Sequence, residues 1–269
     1  MIKVHTARPL YVPENDRIKF IYTRVVFSQD NKMFSGHSQN KNVGSEIHMD
    51  ELEDIQHISE DIYAPLMPVG STIAPSLPAD RCYIKRPDVF RIVAKPGEFS
   101  PVLQELEVCE LIRRHPHPNI ATYYGCQSAN GRVTGLSFER YLFTLLDKLN
   151  PDALNKSEFM SSSDRNVTRE FADRYLPGIE AGLRHLHALG LVHNDLNPNN
   201  IMIAEDDRPV IIDFDSCRAI GADVRTVRRT FQWFDPDVHV AAETNDLDAL
   251  EEIRIWLAGS TPDDFKFGR

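Results

Sequence analysis

Cysteine is scarce in this sequence and nowhere paired. Cys82, Cys109, Cys126 and Cys217 stand far apart with no C-x-x-C spacing. A disulfide framework is therefore not expected, and the thiols read as reduced ones in an intracellular protein. Long apolar runs are also missing. No stretch approaches the ~20 residues that span a bilayer, and residues 1–6 lack the apolar core of a signal peptide. The expectation is a cytoplasmic chain with no membrane partner. Basic charge is short: 30 Lys and Arg face 40 Asp and Glu, a net charge of −10. Nucleic acid is thus not expected as a partner, because phosphate binding needs clustered cations. Glycine nowhere follows G-x-G-x-x-G, and the proline-rich stretch ahead of Lys85 holds only Gly70.

What remains is ordinary globular composition, 42% hydrophobic and 26% charged, with one unusual stretch. Val192-His193-Asn194-Asp195-Leu196-Asn197-Pro198-Asn199-Asn200-Ile201-Met202-Ile203 is followed by Val210-Ile211-Ile212-Asp213-Phe214-Asp215. Each is an apolar, strand-like run beside acceptor-rich residues. Asp195 and Asn200 are five apart on a loop closed by Pro198, and Asp213 ends a β-branched run that would deliver it to a cleft. Two carboxylates and a carboxamide on short strands suit a hydroxyl proton and Mg²⁺, which takes oxygen ligands.

Around this stretch the periodicity predicts strands at 19–27, 82–85, 121–126 and 133–141, the last two flanking the Asn130-Gly131 turn. Residues 28–45 are polar and read as loop or disorder. Leu52, Ile55, Ile58 and Ile62 suggest a short amphipathic helix over 50–62. Helices are predicted over 101–114, 142–149, 167–189 and 247–257. The first has Glu105, Glu107 and Glu110 on its acidic side. The third is bent at Pro177 and ended by Gly190. The last is capped by Asn245 or Asp246.

The stretch 193–200 resembles the catalytic loop of protein kinases, H-x-D-x-x-x-x-N, and Asp213-Phe214-Asp215 resembles their metal-binding D-F-G. His117-Pro118-Asn119-Ile120 is similar to the H-P-N-I after the kinase C-helix, and residues 136–141 to the hinge. The match covers roughly residues 79–258 and is nearest to short kinase-like proteins of filamentous fungi. It implies an α+β fold of two lobes: an N-terminal extension, partly disordered (1–50), a β-rich N-lobe (51–140), and a helical C-lobe short of its last helices (141–269). It also implies site residues. Asp195 would accept the hydroxyl proton, and Asn200 and Asp213 would hold Mg²⁺. Lys85 would hold the phosphates of ATP and pair with Glu107, which lies ten residues before His117. Lys95, in an Ala94-Lys95 context, is the other candidate lysine. Phe138 would border adenine, with the backbone of Glu139 and Tyr141 bonding the base. His193 would pack on Phe214, and Asp246 would tie down the loop.

Departures from the pattern keep the function open. Tyr83 stands where the family has Ala, Asn194 replaces Arg of H-R-D, Asn197 replaces a lysine, and Asp215 replaces Gly of D-F-G. The readings are a divergent protein serine/threonine kinase using ATP and Mg²⁺, a pseudokinase acting as a binding or scaffold protein, and a small-molecule phosphotransferase of the aminoglycoside or choline kinase kind.

Overall fold

Strand-favouring residues crowd the first sixty positions, and the computed structural model extends them into an antiparallel sheet. It describes residues 1–14, 17–30, 32–90, 101–162 and 169–267. Strands β1 (Ile2–Glu14), β2 (Arg17–Gln29), β3 (Lys32–Ser38), β4 (Glu46–Ile47) and β5 (Glu53–Ile58) lie in the order β4-β1-β2-β3-β5. The expected partly disordered extension (1–50) is therefore corrected: most of its described residues are strand, with a connector over 39–45. Val25 and Phe27 alternate onto one face, where they pack with Ile47 and Leu52, the period-2 pattern of a half-buried strand. The helix expected over 50–62 is also absent. Met33, Phe34 and Ser35 of β3 pair with Ile58, His57 and Gln56, and cross-strand partners override the helical spacing. A 3-10 turn at Met49–Glu51 and one α-helical turn, α1 (Glu60–Tyr63), capped by the Ser59 hydroxyl, are the helical pieces there.

The chain divides into two compact units. One comprises Met1–Gly70, Arg86–Gln104 and Gln127–Gly135; the other comprises Ser71–Lys85, Glu105–Cys126 and Leu136–Arg269. The expected boundaries at 50 and 140 do not coincide with this division. Within the first unit, Arg132 bonds Asp61 at 2.7 Å and the Ala64 carbonyl at 2.8 Å.

The second unit carries most of a sheet of β6 (Cys82–Lys85), β8 (Arg132–Glu139) and β7 (Tyr123–Ala129), in that order, with helix α2 (Pro101–Arg114) preceding β7. Then follow β9 (Phe143–Thr144), α3 (Leu145–Leu149), α4 (Lys156–Ser161), the long α5 (Arg169–Ala188), β10 (Leu191–Val192), β11 (Ile201–Ile203), β12 (Pro209–Ile211), β13 (Arg218–Ala219) and α6 (Glu243–Ala258). Helix α5 runs through Pro177 and buries Tyr175, Ile179, Leu183 and Leu186. Gly190, at φ 77°, follows its end as expected. No helix among the described residues is long and apolar enough to cross a membrane.

Two glycines bring α5 against the strands that carry the site. A Cβ at Gly178 would lie 2.8 Å from both Asn119 Nδ2 and Pro209 Cγ, and one at Gly182 would lie 2.9 Å from the Asn119 carbonyl. Asn119 in turn donates to the Pro209 carbonyl at 2.8 Å and accepts from the Ile211 N–H at 2.9 Å. Alanine favours a helix interior over glycine by about 1 kcal/mol. Here the opposite sign is expected: Gly182→Ala should destabilise by about 1–3 kcal/mol through overpacking. A urea midpoint that rises in the variant would contradict the close approach.

Candidate active site

Strand alternation places Tyr83 and Lys85 on the same side of β6, opposite Phe138 and Leu136 of β8. The Lys85 ammonium lies 2.6 Å from Glu105 Oε1 and 2.5 Å from Asp213 Oδ1. The expected partner Glu107 is corrected: it is exposed, and Glu105 is buried in its place. Two residues along a helix are about 200° apart, so only one of the two can face inward. The signal was present in the sequence, because Val102, Glu105, Leu106, Cys109 and Ile112 form one buried stripe at i, i+3, i+4, i+7 spacing with a carboxylate inside it. Lys95 lies outside the described residues.

Burial disfavours the Lys85 charge, but Glu105 and Asp213, with Asp215 nearby, outweigh it and hold the ammonium above the ordinary lysine value. Burial pushes Glu105 up to about 7 against the pull of Lys85, and the Asp213 charge adds to the rise. The cluster holds more carboxylates than cations, so the most buried carboxyl takes the proton first.

The loop after β10 is fixed from beneath. Asp246 is fully buried in the first turn of α6. Its Oδ2 accepts from the His193 N–H at 2.8 Å and meets His187 Nε2 at 2.9 Å, while its Oδ1 accepts from the Asn194 N–H at 2.8 Å. Ala242 holds the N-cap position, without a side-chain cap bond, so the expected capping role of Asn245 or Asp246 gives way to this inward one. Asn194 sits at φ 64°, a left-handed conformation that asparagine tolerates. Its amide donates to the Val192 and Ser216 carbonyls and accepts from Asn245.

His193 packs edge-on against Phe214, with ring centroids 6.0 Å apart. Its Nδ1 accepts from the Asp195 N–H at 3.3 Å, so Nε2 is the donor to the Ile212 carbonyl at 3.0 Å. The loop and the Asp213 strand are thereby joined.

Asp195 is buried at the centre. Its Oδ1 accepts from the Thr230 N–H at 2.6 Å and its Oδ2 from Asn200 Nδ2 at 3.2 Å. Burial raises its carboxyl above the usual value, opposed by the Thr230 N–H, and the Asp213 charge adds to the rise. Asn200 also donates to the Asp195 carbonyl, which leaves its Oδ1 as an acceptor. Asn197 bridges the Asp195 carbonyl and the Thr230 hydroxyl at 3.0 and 3.1 Å. The contact of Thr230 with Asp195 was not expected from sequence, since nothing local ties a threonine 35 residues away to the loop. The oxygens of Asp213 and Asn200 fit a hard cation such as Mg²⁺. No group of three or more His, Cys, Asp or Glu side chains able to hold a metal occurs among the described residues.

Along the hinge-like run, Phe138 is buried against Tyr123 at 5.4 Å. The Glu139 N–H donates to the Thr122 carbonyl, and its carboxylate accepts from the Thr122 and Tyr141 hydroxyls. Tyr83 is 49% exposed. Residues 64–81 contain no hairpin.

A protein kinase domain model matches residues 89–260, well over half the chain. The chain belongs to the protein kinase domain family. It is similar to the 3-phosphoinositide-dependent protein kinase 1 of Rattus norvegicus, 27% identical over 181 residues, covering 64% of this chain and 30% of the relative. It is 27% identical over 166 residues to an Arabidopsis thaliana leaf rust 10 disease-resistance locus receptor-like protein kinase, covering 59% and 24%. It is 30% identical over 97 residues to the mitogen-activated protein kinase HOG1 of Exserohilum turcicum, covering 36% and 28%. This kinase domain chain thus spans less than a third of the length of these relatives. They come from a mammal, a plant and a fungus, so the narrower fungal grouping gains no particular support. The α+β kinase fold class stands.

The Glu105 carboxyl gives a signed pH dependence. Its folded value, about 7, lies above the ordinary 4.5, so the folded state binds the extra proton between these values. Relative to Glu105→Gln, wild-type stability should fall by about 3 kcal/mol as pH rises from 4.5 to 7. A difference in chemical-denaturation stability that is flat over this window would show that Glu105 is charged throughout.

Proposed function

We propose that this kinase domain transfers the γ-phosphoryl group of ATP to a serine or threonine hydroxyl of a protein. The observation that supports the reading is a pair of adjoining clusters: Lys85 with Glu105 and Asp213, and Asp195 with Asn200, linked by the Ile212 N–H on the Asn200 carbonyl and by the Asp213 charge acting on Asp195. Asp195 would accept the hydroxyl proton and aim the oxygen. Its raised carboxyl makes it a better base than an exposed aspartate. Lys85 would hold the α- and β-phosphates. Asp213 and the Asn200 oxygen would hold Mg²⁺, which when bound neutralises charge developing on the phosphates. Phe138 would border adenine. Because the Glu139 N–H is committed to Thr122, the base would use the remaining backbone groups of Glu139 and Tyr141. Asn194 replaces a cationic phosphate receptor with neutral hydrogen bonds to Ser216 and Asn245, which supports activity without activation-segment phosphorylation. The protein substrate would approach Thr230 and Phe231, which is 80% exposed.

A second reading, a nucleotide-binding or scaffold protein without transfer, draws on the lack of a hairpin in residues 64–81, directly before β6, and on the capped Asp195 oxygens. Incubating the protein with Mg-ATP and a generic protein substrate separates the two. Incorporation should appear in wild type and fall by roughly 10²–10⁴-fold in Asp195→Asn, the range for removing a general base. Equal incorporation by both would remove Asp195 from the chemistry.

Nucleotide binding has its own check. At tenfold excess over Kd, binding to the folded state adds ~1.4 kcal/mol, or roughly 3–5 °C in Tm. The shift should require Mg²⁺ and shrink in Asp213→Ala. Wild type with no shift at several millimolar Mg-ATP would leave the site without a nucleotide.

A further inference from the structure

Outside the site, helix α2 is held at a second point. Residues 71–74 run beside β7: the Cys126 N–H donates to the Thr72 carbonyl at 2.8 Å, and the Ala74 N–H donates to the Cys126 carbonyl at 3.0 Å. Gly125 adopts φ 137°, and a Cβ there would lie 2.6 Å from the Ala74 nitrogen. Glycine is what lets this strap come so close. On its other side the strap is clasped by α2. Glu110 accepts the Thr72 N–H on Oε1 at 2.7 Å and the Thr72 hydroxyl on Oε2 at 2.9 Å, two charge-assisted bonds to one carboxylate.

Glu110 lies on the helix that carries Glu105. One carboxylate of α2 reaches Lys85 and the other reaches the strap. We infer that Thr72 and Glu110 are positioning residues, whose clasp fixes α2 so that Glu105 meets Lys85. This rests on the proposed phosphoryl transfer, in which that ion pair must be in place. The clasp makes helix placement a property of the chain itself, with strap 71–74 occupying the outer edge of β7. Gly125 belongs to the same device, because a side chain there would push the strap off.

The test uses the full chain and two readouts, Mg-ATP affinity by fluorescent-nucleotide titration and amide hydrogen exchange of residues 101–114. Thr72→Val, which removes only the hydroxyl bond, and Glu110→Ala should each raise Kd about three- to tenfold. Both should speed exchange in α2 while leaving α5 and α6 unchanged, and Thr72→Ser should retain wild-type behaviour. In a Glu105→Gln background, Thr72→Val should leave Kd unmoved, because no ion pair remains to be positioned. An additive loss in that background, or acceleration spread through α5 and α6, would show a merely structural contact and overturn the inference. So would unchanged Kd and exchange in both single variants. If wild type binds no Mg-ATP, the proposed function fails by itself. The clasp is then decided by exchange alone: acceleration confined to α2 upholds it, and none overturns it.

Discussion

The buried carboxylate of Asp246 is the interaction on which the site depends. A charge with no exposure to water is tolerated only when it is paired or fully hydrogen-bonded. Asp246 meets that demand with the His193 and Asn194 N–H groups and His187. It thereby dictates the backbone of the very residues that present Asp195. The left-handed turn at Asn194 is held because its N–H must point at α6. Removing the carboxylate would orphan two backbone donors and release the turn together.

A second constraint is an imbalance of charge. Lys85 is shared between Glu105 and Asp213, with Asp215 close enough to influence both. In a low-dielectric site one cation does not fully offset this much negative charge, so the arrangement favours a proton or a further cation. Under the proposed function the metal ion itself would offset such a deficit, and Asp213, at positive φ and in contact with Lys85, is the carboxylate that would meet it. The same physics explains why Glu105 rather than Glu107 is the buried carboxylate. The apolar stripe of α2 has room for one, and burial is stabilised only at the position that reaches Lys85.

Beyond the short β13, the segment between Asp213 and α6 is ordered mainly by side chains that bond to backbone carbonyls. The Ser216 hydroxyl donates to the Arg228 carbonyl at 2.6 Å. Arg229 donates to the Asp235 and Val238 carbonyls and stacks on Phe234 at 4.1 Å. These fix Thr230, whose N–H meets Asp195. Asn197 stands where the family has a lysine and joins Thr230 to the loop through neutral bonds. Order here is thus obtained without the ionic contacts that the family pattern would have supplied.

Local chemistry made much of the site legible in the sequence. The spacing of Asp195, Asn200 and Asp213, the apolar runs beside them, the glycine ending α5 and the packing of His193 on Phe214 depend on near neighbours or on motifs that carry their own geometry. Three features were not legible, because they depend on partners distant in the chain. In the first sixty residues the strand over 19–27 was legible and lies within β2, but the polar run after it and the helical spacing over 50–62 were overridden by strand pairing, since a sheet takes its stability from cross-strand neighbours. Glu105 and Glu107 are chemically identical; the apolar stripe around Glu105 marks it as the inward one, but that this carboxylate meets Lys85 is decided only by the packing of α2. Thr230, Thr72 and Glu110 carry no local mark at all. The sequence by itself determined which groups were available for the chemistry. The tertiary structure alone decided which of them meet, because burial and hydrogen-bond demand are settled only when distant segments pack.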